Sequence, residues 1–111
     1  MKDYKVYLTH ILEAIEKIEK YTRNISFPKF LKDSEKQDAV VRNLEIIGEA
    51  ASKIPYKLRS QYPNIEWRDV IDMRNRLIHE YFGVDLEIVW DVIKRELPFL
   101  KRKLKRILVE I

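Results

Sequence analysis

The chain contains no cysteine, and only two of its 111 residues are glycine. The absence of cysteine excludes disulfide bonds and thiolate metal sites. Two glycines leave few positions for tight turns, so long helices are favoured. No apolar run approaches the roughly 18 residues that cross a membrane, and the first residues lack the apolar stretch of a signal peptide. We therefore expect a cytoplasmic protein.

Charge, in contrast, is abundant. Charged residues make up 36% of the chain and hydrophobic residues 46%, with a formal net charge of +4. This balance is typical of a soluble globular protein, and the length fits a single domain over residues 1–111. The positive charge is compatible with a polyanionic partner but does not require one.

Apolar residues recur every three or four positions along most of the chain, which predicts amphipathic helices. The predicted long helices cover residues 2–21, 34–54, 66–81 and 85–111. No stretch alternates with a period of two, and no linker separates two cores. The sequence thus predicts an all-α bundle of four or five helices.

Local signals give the boundaries of the second helix. Ser34 with Gln37 three residues later fits a capping box, which places Ser34 at the N-cap. Residues 26–33, which contain Pro28, read as a connection.

Later boundaries depend on proline, glycine and aspartate. Pro55 stops the second helix and suits the first position of a short helix over residues 55–62. Gly83 is predicted to end the third long helix, and Asp85 can cap the last one. Pro98 is expected to kink or restart that helix.

The most informative segment is residues 73–84, which read Met-Arg-Asn-Arg-Leu-Ile-His-Glu-Tyr-Phe-Gly-Val. On one helix, Asn75 and His79 share a face, whereas Arg74 and His79 diverge by about 140°. One helix therefore cannot easily aim Arg74 and His79 at the same phosphate. A two-fold dimer that sets two such helices across a shared cleft would remove this difficulty.

These residue types fit RNA cleavage, because RNA carries its own nucleophile, the 2′-hydroxyl. The unperturbed pKa of a histidine side chain is about 6.5, so His79 can move the proton. Nearby Arg74 and Arg76 are expected to favour its neutral form, which can act as a base. Arg74 can bind two phosphate oxygens. Asn75 can hold the histidine or a phosphate, and Tyr81 offers a stacking surface or a hydroxyl. This chemistry requires no cofactor.

A metal centre is not predicted. The two histidines lack a partner at ligand spacing. Asp69, Asp72 and Glu80 read as solvated helix acids rather than as Mg²⁺ ligands.

The order Arg-x-x-x-x-His-x-Tyr closely resembles the signature of HEPN-domain ribonucleases, in particular the HepT-like toxins of bacteria and archaea. Residues 41–50, 64–71, 81–85 and 89–90 are similar to HepT-like proteins in the same order, and the resemblance spans roughly residues 38–100. It implies a helical dimer that acts as a metal-independent ribonuclease toxin on RNA or tRNA, with Arg74 and His79 as its catalytic pair. It also implies an antitoxin, an MntA-like minimal nucleotidyltransferase, that transfers AMP to Tyr81.

Two alternatives stay open beside the toxin. One is a non-catalytic HEPN module that binds the nucleotidyltransferase, and the other is a helical scaffold without a site. The run at residues 101–106 places five basic residues in six positions. It could bind an RNA backbone or an anionic membrane, but a solvated helix face is the preferred interpretation.

Overall fold

The computed structural model describes the backbone of residues 4–79 and 85–110, and the side chains of residues 4–73 and 85–110. Every regular element in these ranges is helical, so the predicted all-α class is confirmed. The elements are α1 (Lys5–Thr22), α2 (Phe27–Leu31), α3 (Ser34–Ser52), α4 (Tyr56–Arg59), α5 (Trp67–His79), α6 (Leu86–Asp91), a π-helical turn (Val92–Glu96) and α7 (Leu97–Glu110). None of the described helices is long and apolar enough to cross a bilayer.

Helix α3 is the centre of the bundle, since it packs against both α1 and α5. The small residues Gly48, Ala50 and Ala51 of α3 are buried, which allows its neighbours to approach closely. Helix α7 packs against α1. Isoleucine and leucine side chains from α1, α3 and α7 fill the shared core, including Ile15, Leu44 and Leu104.

Residues 26–33 are not the simple connection that the sequence predicted, because they contain the short helix α2. The Ser26 hydroxyl accepts a hydrogen bond from the Lys29 amide at 3.3 Å and so caps α2. Pro28 lies in the first turn of α2. Backbone N–H groups in a first turn have no acceptor within the helix, so the N–H that proline lacks is not needed there. Phe30 is completely buried, with its ring 5.1 Å from that of Trp90. The proline therefore helps to start a helix here.

The N-cap of α3 is Asp33, and the prediction of Ser34 was wrong by one residue. The Asp33 carboxylate accepts a hydrogen bond from the Lys36 amide at 3.1 Å, and Ser34 is the first helical residue. Gln37 does not close a capping box, because its side-chain amide donates to the Phe30 carbonyl at 2.8 Å and thereby links α3 to α2. Aspartate and serine are both good caps, so the sequence alone could not choose between these neighbours.

We expect Asp33→Ala to lower the free energy of unfolding by about 1 kcal/mol, because it removes the cap of a central helix. Ser34→Ala is the matched control and should change the stability by less than about half that amount. Urea denaturation followed by circular dichroism measures both. If Ser34→Ala lowered the free energy of unfolding more than Asp33→Ala, Ser34 would be the N-cap instead.

Pro55 and Pro98 lie close to helix irregularities that the sequence predicted. Pro55 is the N-cap of α4, not its first residue, and α4 ends at Arg59. Before Pro98, the chain forms the π-helical turn, in which the Leu97 amide donates to the Val92 carbonyl five residues earlier. Because a proline ring crowds the carbonyl four residues before it, a widened turn at this place has a physical cause. The irregularity predicted at Pro98 is therefore confirmed.

Candidate functional site

The predicted site falls on α5 and on the residues just after it. Arg74, Asn75, Arg76 and His79 all lie on the helical backbone of α5, as the sequence predicted. Their side chains lie outside the described part of the structure. So do Tyr81 and the whole of residues 80–84, which include the predicted helix end at Gly83. The roles of these residues therefore remain predictions.

The first half of α5 is anchored in the core. The Trp67 indole N–H donates to the Tyr62 carbonyl at 3.1 Å, and Trp67 is only 8% exposed. Met73 is also buried, and Val70 and Ile71 pack against the core. Since α5 also packs along α3, its direction is fixed before the chain reaches Arg74.

The other flank of the motif is anchored by the start of α6. The Asp85 carboxylate accepts hydrogen bonds from the Glu87 amide at 3.0 Å and the Ile88 amide at 3.3 Å, which confirms Asp85 as a cap. Trp90 of α6 packs against α2, with its ring 5.7 Å from that of Phe27. Residues 80–84 therefore connect two anchored helices.

The helical backbone through His79 sets the relative directions of the motif residues. At 100° per residue, positions 75 and 79 of an ideal helix are separated by about 40° and positions 74 and 79 by about 140°. Positions 74 and 79 therefore lie on different sides of the α5 backbone.

A cleft of 760 Å³ lies beside the first half of α5, between that helix, the π-helical turn and α7. Its apolar lining includes Val70, Met73, Leu97 and Phe99. Its charged lining residues are Glu66, Asp69, Asp72, Arg95, Glu96 and Lys103. This cleft could not be predicted from the sequence, because its two walls are distant in the chain and meet only through folding.

Among the described residues, the charges around the cleft do not favour a phosphate. The two cations described in its lining are already engaged: Arg95 pairs with Asp91 at 3.1 Å, and Lys103 donates to the Asn64 carbonyl. The other described charges of the lining are carboxylates, which repel an anion. Asp69 and Asp72 are exposed, as expected of solvated helix acids. Among the described residues, no three histidine, aspartate or glutamate side chains are grouped to hold a metal ion.

Comparison with known proteins identifies the family. The ribonuclease HepT-like family model matches residues 11–107, and the chain belongs to this family. By class it is therefore a ribonuclease, which confirms the family and the enzyme class predicted from the motif. No solved structure matches the chain.

Several curated relatives agree with this assignment. The chain is 47% identical to "Probable ribonuclease HepT" of Thermococcus cleftensis, over 96% of each chain. It is 43% identical to a "Putative RNase" of Caldanaerobacter subterraneus, over 97% of this chain and 96% of the relative. It is 46% identical to a "Gamma-glutamylcyclotransferase and putative RNase" of Methanocaldococcus jannaschii, matching 99% of this chain but only 50% of that protein. The chain thus spans about half the length of the last relative.

Proposed function

We propose that this protein is the toxin of a toxin–antitoxin pair and cleaves RNA, including tRNA, as a metal-independent endoribonuclease. Membership of the ribonuclease HepT-like family supports the class of reaction. The observation that carries the site is the position of the motif on α5, whose anchored helical backbone runs from Trp67 through His79. Arg74 and His79 are the proposed catalytic pair.

The proposed reaction is an attack within the RNA itself. His79 removes the proton of a 2′-hydroxyl, and the 2′-oxygen forms a bond to the adjacent phosphorus while the bond to the 5′-oxygen breaks. Arg74 binds the non-bridging oxygens through two parallel hydrogen bonds and stabilises their growing negative charge. The leaving 5′-oxygen takes up a proton. The products are a 2′,3′-cyclic phosphate and a 5′-hydroxyl.

Asn75 and Arg76 have supporting roles in this proposal. Asn75 lies one helical turn before His79 and orients either the imidazole or a phosphate by hydrogen bonding. Arg76 adds positive charge beside the RNA backbone.

The same site requires a dimer. Because Arg74 and His79 point about 140° apart on one helix, we propose that two α5 helices face each other across a two-fold axis. Arg74 of one protomer and His79 of the other then reach a single phosphate.

The proposed partner is a minimal nucleotidyltransferase that acts as the antitoxin and transfers AMP to Tyr81. This part of the proposal is supported by the family and by the tyrosine two residues after His79.

We expect the purified protein to cleave a 5′-labelled RNA equally fast with and without excess EDTA, because no proposed step uses a metal ion. The 3′ ends of the products should carry 2′,3′-cyclic phosphates, which end-group analysis by mass spectrometry identifies. Fragments with 5′-phosphates, formed only when Mg²⁺ is added, would contradict the mechanism. RNA left intact under all conditions would favour the non-catalytic module.

A further inference from the structure

The basic run at residues 101–106 separates into two groups in the structure. Two of its lysines hold α7 in place: the Lys101 ammonium lies 2.7 Å from the Glu19 carboxylate of α1, and the Lys103 ammonium donates to the Asn64 carbonyl. The other three cations, Arg102, Lys105 and Arg106, are exposed. Neither an ion pair nor a side-chain hydrogen bond engages these three within the described ranges. They remain available to a ligand.

An exposed aromatic ring lies beside these cations. Phe99 is 57% exposed, and the Arg102 guanidinium lies 4.6 Å from the centre of its ring. Phe99, Arg102 and Arg106 are spaced by three and four residues and therefore share one face of α7, with Lys105 next to them. We call Phe99, Arg102, Lys105 and Arg106 the α7 ridge.

We propose that the α7 ridge binds the backbone of single-stranded RNA that flanks the cleavage point. This inference rests on the proposed function, because it assigns the ridge to the same substrate. Its three cations suit successive phosphates, and the Phe99 ring with the guanidinium above it offers a stacking surface for a base.

The composition of the ridge favours RNA over a membrane or a protein partner. A membrane-binding helix needs a broad exposed apolar face. The broad apolar stripe of α7, which includes Leu100, Leu104 and Ile107, is instead buried or half-buried against the core. The centre of a protein interface is usually depleted of charge, whereas three of the four ridge residues are cations.

The ridge begins beside the middle of α5, since Phe99 lines the same cleft as Met73. Six residues separate the end of α5 from the helical segment that runs from α6 to α7, and Lys103 contacts Asn64, just before α5 begins. Helix α7 therefore runs antiparallel to α5, and the ridge extends away from His79. A dinucleotide at His79 would not reach the ridge, whereas a longer strand would.

The test is the affinity of the full-length protein for a fluorescein-labelled 2′-O-methyl oligouridylate of about 12 nucleotides, measured by anisotropy. This probe cannot be cleaved, so the readout does not depend on catalysis. We expect the triple variant Arg102→Ala/Lys105→Ala/Arg106→Ala to bind roughly 10- to 100-fold more weakly at 100 mM salt. The slope of log affinity against log salt concentration should become shallower by about 2, because three phosphate contacts are lost.

Two further variants make this result specific. Lys17→Ala/Lys20→Ala/Lys53→Ala removes the same charge from exposed positions outside the ridge and should change the affinity less than about twofold. Phe99→Ala should weaken binding by about fivefold or more while leaving the salt slope unchanged, because it removes stacking but no charge.

Cleavage assays separate this inference from the proposed function. If both are correct, the ridge triple variant cleaves a dinucleotide at the parental rate and a long RNA more slowly. Equal affinity of the ridge variant, the control variant and the parent for the probe would overturn the inference, even if RNA cleavage is confirmed. Weaker self-association of the ridge variant with unchanged RNA affinity would overturn it as well and would assign the ridge to a protein contact. Weaker probe binding by the ridge variant alone would support the inference even if the protein cleaves no RNA.

Discussion

Replacing His79 with alanine is expected to slow RNA cleavage by about 10²- to 10⁴-fold, because it removes the proposed general base. Arg74→Ala is expected to cost about 10²- to 10³-fold through lost stabilisation of the phosphate oxygens. Single-turnover cleavage of a labelled RNA measures both rates without interference from product release.

The chain offers a matched control for each change. His10 is the other histidine and is exposed on α1, and Arg68 is exposed in the first turn of α5. His10→Ala and Arg68→Ala should cleave RNA at nearly the parental rate. A His79→Ala protein that melts like the parent and cleaves as fast would exclude His79 as the base.

Mixing the two catalytic variants tests whether the site is shared between protomers. If Arg74 and His79 come from different chains, a dimer of one Arg74→Ala chain and one His79→Ala chain has one complete site and one that lacks both groups. Random pairing would then restore about a quarter of the parental sites. If mixing and subunit exchange restored no cleavage activity, Arg74 and His79 of one site would have to come from the same chain. An active protein that light scattering shows to be a monomer would lead to the same conclusion.

Replacing Tyr81 with phenylalanine is expected to abolish neutralisation by an adenylylating partner while leaving most of the cleavage activity, because His79 remains. An AMP on Tyr81 would place bulk and a negative phosphate where the RNA phosphate must bind. Arg74 and Arg76 would pair with that phosphate and lose their contact with RNA. Growth after co-expression with the nucleotidyltransferase, together with mass spectrometry of the toxin, measures the effect.

Tyr56 provides the control for this prediction, because it is 77% exposed and so fully accessible to a modifying enzyme. Tyr56→Phe should be neutralised like the parent. AMP found only on Tyr56 or on the other tyrosines, Tyr4, Tyr7, Tyr21 and Tyr62, would defeat the proposal.

The sequence predicted the long helices well, because each buries a regular apolar stripe that can be read without knowing its neighbours. It failed where one residue type serves two purposes. Residues 26–33, which contain Pro28, were predicted to be a connection, yet Pro28 lies in the first turn of the short helix α2. Asp33 and Ser34 are equally good caps in isolation, and only the packed structure shows that Asp33 has that role.

In the candidate site, too, some features could be predicted from the sequence and others could not. The motif residues Arg74 and His79 are close in sequence, so their place on a helix could be predicted, and their chemistry stays a prediction. The cleft beside α5 and the α7 ridge could not be predicted, because both depend on which helices meet. The division of the basic run is the clearest case: Lys101 and Arg102 are neighbours in sequence, but only the fold shows that Lys101 is tied to Glu19 while Arg102 stays exposed.

The central position of α3 has a consequence for how this chain tolerates sequence change. Its buried small residues, such as Gly48 and Ala51, lie in a helix that two others pack against, so a larger side chain there cannot be absorbed by moving one neighbour alone. Overpacking of this kind typically costs about 1–3 kcal/mol. A larger side chain at one of these positions would therefore displace α5, so residues of α3 outside the proposed catalytic motif also set where the chain carries His79.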